Sequence, residues 1–184
     1  MATTALVVLD MLNDFVDGTL ANPAAQPTID PIAELAKKAR EHEDWVVVYA
    51  NDAHKNGDFE FKVFGEHAIA GSAGAEVIPT LTPAGNDLVV PKRYYSAFTQ
   101  TDLDATCRTQ NIDRMVIVGQ HTNCCCRHTT YDAFLRGIDV GIVSDATCVF
   151  EPMYGEGTVD VQNDALKYLA TFYKAEIMES ASVF

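Results

Sequence analysis

Short apolar runs rich in β-branched residues recur along the chain with amphipathic stretches between them, and this alternation constrains the fold more than any other feature. The runs are ALVVLD (5–10), WVVVYAND (45–52), DLVVPK (87–92), RMVIVGQ (114–120), DVGIVSDA (139–146) and a weaker AEIMES (175–180). Each has the length and composition of a buried strand. The segments PTIDPIAELAKKAREHED, TDLDATCRTQN, CCRHTTYDAFLRG and VDVQNDALKYLATFYK have helical patterning. Alternation of this kind predicts an α/β fold: a three-layer α-β-α arrangement around a mainly parallel sheet of about six strands. No repeat or long linker interrupts it, so residues 1–184 are expected to form a single domain.

Ligands of open α/β sheets bind beyond the carboxyl ends of the strands, which directs attention to the residue that ends each run. The first run ends in Asp10, the second in Asn51-Asp52, the third in Lys92, and the fourth in Gly119 followed by HTNCCC. An acid, a second acid near His54, a lysine and a thiol thus share one rim. A thiolate attacks carbonyl carbon, and a helix N-terminus with a nearby cation lowers a thiol's pKa. The cysteines follow Thr122-Asn123, both capping types, and Lys92 would supply the cation. Asp10 would move the proton, and amides of the 119–125 turn would hold an oxyanion. Helical neighbours lie about 100° apart, so at most two of Cys124, Cys125 and Cys126 face one pocket, and periodicity does not choose among them. Two of the three are expected to pack as small hydrophobes.

Asp52-Ala53-His54 places two ligand-type side chains on one side of an extended segment. Adding His67 would make a three-ligand site with open positions, suited to zinc, iron or manganese. Spacing alone is a weak signal for it.

Composition excludes several partners. With 13 Lys+Arg against 26 Asp+Glu, the net charge of -13 repels phosphate backbones and anionic membranes, arguing against nucleic acid or membrane partners. The start, MATTALVVLD, lacks the pattern of an export signal, and no apolar stretch reaches the length of a membrane span. Five cysteines, three of them consecutive, do not suit a disulfide framework. A cytoplasmic protein with reduced thiols is expected. A high-salt cytoplasm is one setting for the dispersed acidity.

At these same residues the chain resembles the cysteine-hydrolase branch of the isochorismatase superfamily, which includes nicotinamidases and N-carbamoylsarcosine amidases. LVVLDMLNDFVDG is similar to the opening V-x-D-x-Q-N-D-F, and NDAH, GEHAIAGSAGAEV, VPKRYYSAF and VGQHTNCCCRHTTYDAFLRGIDVGIVSDA follow in order. The resemblance implies an Asp10-Lys92-Cys125 triad, with the oxyanion held by the backbone amides of His121 and Cys125 and a cis peptide between Gln120 and His121. It implies a divalent metal, zinc first, on Asp52, His54 and His67, with Glu60 as a further candidate ligand. Phe15 and Phe64 become aromatic walls for a flat ring. It also implies a homo-oligomer acting on a small amide. The cysteine argues against vinyl-ether cleavage, because relatives acting on isochorismate lack it. The metal ligands favour nicotinamide; Phe64 in place of a tryptophan and Leu12 in place of a glutamine favour an N-carbamoyl compound or another small amide. His121 stands where the pattern has a small residue. A non-catalytic metal- or redox-sensing protein is the rival from another class.

Overall fold

The computed structural model describes residues 2–184. In chain order it forms β1 (Thr3–Leu9), α1 (Asn13–Val16), α2 (Ile29–Glu41), β2 (Trp45–Asp52), α3 (Phe61–Phe64), β3 (Leu88–Lys92), α4 (Leu103–Gln110), β4 (Ile112–Gln120), α5 (Arg127–Leu135), β5 (Asp139–Cys148), α6 (Glu151–Tyr154), α7 (Thr158–Tyr173) and β6 (Glu176–Met178). All six strands join one sheet in the order β3-β2-β1-β4-β5-β6, and every neighbouring pair is parallel. The weak run at 175–180 is indeed a strand, of only three residues.

Alternation along the strands sorts the core into two layers. Ala5, Val7 and Leu9 of β1 pack with Met115 and Ile117 of β4 beneath Leu103 of α4, Ala133 of α5 and Leu169 of α7. Leu6 and Val8 turn the other way, with Val47 and Tyr49 of β2, onto Ile32, Leu35, Ala36 and Ala39 of α2. The central runs show no polar alternation because both sheet faces are covered, as parallel sheets require. Burying each Leu or Val contributes roughly 1.5–3 kcal/mol, which makes β1 and β4 the rigid centre of the molecule.

The strand order reverses beside β1, whose neighbours β2 and β4 lead in opposite directions across the sheet. Such a switch point opens a crevice at the carboxyl ends. Asp52 and Lys92 are register partners there, and Leu9 pairs with Ala50 on one side and Gly119 on the other. Gly119 has φ 99°, and a Cβ on it would lie 2.1 Å from the Leu9 carbonyl oxygen. Only glycine lets β4 pass this close to the residue preceding Asp10.

Candidate active site

Asp10 follows β1 at φ 54°, an uncommon conformation for a residue with a side chain. Its own N–H donates to Asn51 Oδ1 (3.0 Å), and its Oδ1 accepts from the Asp52 N–H (2.8 Å). Lys92 Nζ pairs with Asp10 Oδ2 at 2.8 Å and Asp52 Oδ1 at 2.6 Å, and it reaches Cys125 Sγ at 3.6 Å. Asp10, Asp52 and Lys92 are each no more than 2% exposed. Side-chain ligand atoms of Asp10, Asp52 and Cys125 lie within 4.8 Å of one another. One ammonium therefore ties two carboxylates and a thiol together in a water-poor pocket.

Burial, reinforced by the Asp52 charge, raises the Asp10 carboxyl to about 6 against the pull of Lys92. Burial alone would lower Lys92, but Asp10 and Asp52 outweigh it and hold the ammonium well above its usual value. Cys125 departs from the sequence expectation. Hydrogen bonding with Cys124, then burial, raises its thiol well above the ordinary value despite Lys92, so the resting group is a thiol.

The turn carrying the cysteines also differs from expectation. Thr122 and Asn123 cap nothing: residues Thr122–Cys126 form a wide turn led by His121 and running into α5. Asn123 Nδ2 donates to Tyr154 Oη (2.8 Å), and Thr122 Oγ1 is buried without a partner. The amides of Cys124 and Cys126 both donate to the His121 carbonyl, at 2.9 and 3.1 Å. The Gln120–His121 peptide is cis. Cys126 packs in the core as a small hydrophobe. Cys124 does not: it is half-buried and lines the same cavity as Cys125.

Across Asp52 lies a second cluster. Side-chain ligand atoms of Asp52, His54, Glu60 and His67 lie within 4.8 Å of one another. His67 is positioned by a short parallel bridge between His54 and Ile69, with His54 N–H on the Ala68 carbonyl (2.9 Å) and Ala68 N–H on Asp14 Oδ2 (2.8 Å). Each histidine has its Nδ1 occupied, His54 by Asp58 Oδ2 (3.0 Å) and His67 by the Gly65 carbonyl (2.8 Å). Each has a buried Nε2 with no hydrogen-bond partner. A carbonyl only accepts, so His67 Nδ1 carries a proton, and the neutral ring that burial favours leaves an Nε2 lone pair turned inward. Nδ1 anchored to an acceptor with Nε2 free is how a ligating histidine is held. These four residues therefore fit a divalent ion. Burial and the Asp52 charge also raise Glu60 to about 7.

The two clusters meet at a small cavity of about 10 Å³ lined by Phe15, Phe64, Tyr95, His121, Cys125 and Phe150, among others. Phe64 meets Phe150 edge-on, with centroids 6.4 Å apart. Glu60 and Tyr95 line both this cavity and an open groove of about 710 Å³, and so form the wall between them. The Asp58–Arg93 ion pair behind His54, together with Tyr95 and Phe150, was not singled out in the sequence. Asp58 sits in the turn NGD, four residues after His54, but nothing local says which side chain it will meet.

The isochorismatase domain pattern matches residues 4–181. The chain belongs to the isochorismatase family. It is similar to the N-carbamoylsarcosine amidase of Thermoplasma acidophilum, with 33% identity, a TM-score of 0.88, and 98% of each chain covered. It is also similar to the nicotinamidase PncA of Bacillus subtilis, at 30% identity and a TM-score of 0.85 over 96% of this chain and 100% of that one. A pyrazinamidase of Pyrococcus horikoshii, solved in complex with zinc, is 25% identical with a TM-score of 0.85, covering 96% of this chain and 98% of that one. The family member is a hydrolase acting on amide carbon–nitrogen bonds. No helix among the described residues is long and apolar enough to cross a membrane.

Proposed function

We propose that this single-domain hydrolase is a cysteine amidohydrolase with Cys125 as nucleophile, Asp10 as acid/base and Lys92 as the charge that holds them together. The observation carrying the reading is the Lys92 ammonium, in contact with Asp10, Asp52 and Cys125 Sγ at once.

Cys125 attacks the amide carbonyl as its Sγ proton passes to Asp10. A carboxyl raised to about 6 is mainly carboxylate at pH 7 yet basic enough to take a proton as the new bond forms. Lys92 keeps the two carboxylates apart and offsets the charge developing on sulfur. The backbone N–H groups of His121 and Cys125 receive the oxyanion. Asp10 then returns the proton to the leaving nitrogen, and ammonia departs. Water, deprotonated by Asp10, attacks the thioester, and Cys125 regains its proton as the acid leaves.

Asp52, His54 and His67, with Glu60 as a fourth side chain, would hold a divalent ion, zinc first, which as a Lewis acid would orient a heteroatom of the substrate or a water. Phe15 and Phe64 are the proposed apolar walls against the acyl group. Nicotinamide is the substrate favoured by this ligand set. N-carbamoyl compounds are the second reading, favoured by the small cavity and by His121 within it. Exposed Tyr131, Phe134 and Leu135 on α5 and Phe172 on α7 support self-association.

Ammonia release from nicotinamide, pyrazinamide and N-carbamoylsarcosine tests the reading. Wild type is expected to release ammonia from at least one, and Cys125→Ala to lose about a thousandfold or more. Silence from the wild type on all three, or a Cys125→Ala variant as active as wild type, sinks it.

A further inference from the structure

The His121 side chain has no part in the mechanism above, although its backbone does. It is 8% exposed and lines the cavity that Cys125 opens into. Its ring stands edge-on to Phe15, with centroids 5.7 Å apart at 88°, and tilts against Phe150 at 5.2 Å. Its Nε2 is buried without a hydrogen-bond partner, and it lies outside the cluster of side chains able to hold an ion. A buried nitrogen between two phenylalanines is costly unless something supplies the missing bond.

Space points the same way. The remaining cavity of about 10 Å³ is close to the minimum of about 10–15 Å³ that holds one water, whereas a cavity of about 150 Å³ takes benzene. The imidazole occupies room that a small residue at 121 would leave empty. Its backbone is fixed relative to the nucleophile, because the His121 carbonyl accepts from both Cys124 and Cys126.

We propose that His121 is the specificity-determining residue of this pocket: its ring limits the size of the acyl group, and its Nε2 hydrogen-bonds a polar atom on that group. The preferred substrate class is a primary amide or ureide whose acyl side is compact and polar, which puts the N-carbamoyl reading ahead of the nicotinamide that the ligand set alone favours. The assignment rests on the amidohydrolase reading and adds the basis of substrate choice. It predicts two separable signatures, because bulk and hydrogen bonding are removed by different substitutions.

The experiment compares kcat/KM for N-carbamoylglycine, butyramide, nicotinamide and benzamide in wild type, His121→Ala and His121→Phe. Wild type is expected to prefer N-carbamoylglycine to butyramide by about tenfold or more, since a site built to hydrogen-bond a group rejects its apolar analogue. His121→Ala should raise the ratio of nicotinamide to N-carbamoylglycine by about tenfold. His121→Phe, which keeps the bulk and loses Nε2, should erase the preference for N-carbamoylglycine over butyramide and leave ring amides poor. If either variant fails to fold by circular dichroism, the wild-type preference still decides: equal turnover of the two acyclic amides overturns the assignment. Ratios that move less than twofold in active, folded variants overturn it alone. No ammonia from any amide with wild type removes the amidohydrolase reading and this assignment together.

Discussion

Asp52 stands between two flanks of one pocket that are built to opposite rules. On the lysine flank, the ammonium of Lys92 meets Asp10 and Asp52 within 2.8 Å, and Asp10 also accepts a backbone N–H. On the histidine flank, His54 and His67 are anchored through Nδ1 while both Nε2 atoms lack partners. Charges are buried on both sides, but the first side closes on ion pairs of 2.6 and 2.8 Å, whereas the Nε2 atoms of the second come only to 3.6 and 3.7 Å from a carboxylate. The lysine flank is thus part of what holds the strand ends together, whereas the histidine flank leaves two buried ring nitrogens without hydrogen-bond partners. A buried polar group left unsatisfied costs about 1–3 kcal/mol, so the second flank is held in place by its surroundings rather than by its own contacts.

The sharpest way to break this contrast is Lys92→Met. Removing the ammonium leaves two buried carboxylates facing each other, and loss of one partner of a buried ion pair costs about 3–5 kcal/mol. Urea denaturation of metal-free protein should show a loss of that size, together with amidase activity reduced about a thousandfold or more. A stability change under about 1 kcal/mol would mean that the lysine flank does not support the fold.

His67→Ala should behave differently. It removes an orphaned nitrogen along with the ring, so metal-free stability is expected to fall by only about 1–2 kcal/mol. The larger effect appears with metal. Zinc at a hundred times its dissociation constant should stabilise wild type by about 2.7 kcal/mol, and the variant should lose most of that gain and retain little zinc by elemental analysis. Equal zinc stabilisation in both proteins would remove His67 from the ligand set.

The same contrast marks what could be read from the chain before folding. Strand-end logic placed Asp10, Asp52, Lys92 and the cysteine turn on one rim, because a parallel sheet fixes where strands end whatever the loops do. The layers were legible for the same reason: the residues alternating along β1 face α2 on one side and α4, α5 and α7 on the other. What escaped depends on tertiary packing. Thr122 and Asn123 have capping side chains, yet the chain enters α5 through a wide turn in which Asn123 bonds Tyr154. Asp58 and Arg93 meet behind His54 only because a loop and the end of β3 converge there. Residue type gave the lysine flank a cation but not the balance of forces on the thiol, where Cys124 and burial outweigh Lys92.

That balance yields the smallest effect and the finest test. Asp10 has a carboxyl at about 6 in the folded protein against 3.8 for the free group. The folded state therefore binds this proton more tightly, and the contribution of Asp10 to stability is lost as pH rises from about 4 to about 6. The rate should move oppositely, kcat/KM rising through about pH 6 as Asp10 becomes the carboxylate that accepts the thiol proton. For the thiol, hydrogen bonding with Cys124 is the largest cause of its raised value. Cys124→Ala should bring thiolate absorbance in at lower pH, whereas Cys124→Ser, which can still accept a hydrogen bond, should shift it less. Burial holds Cys107 up at about 11 and Cys148 at about 12, and Cys126 well above its usual value. The early thiolate signal can therefore be assigned to Cys125 by its absence in a Cys124→Ala, Cys125→Ala double variant. If Cys124→Ala leaves the titration where it was, burial alone keeps the thiol protonated, and Cys124 lines the cavity without acting on its neighbour.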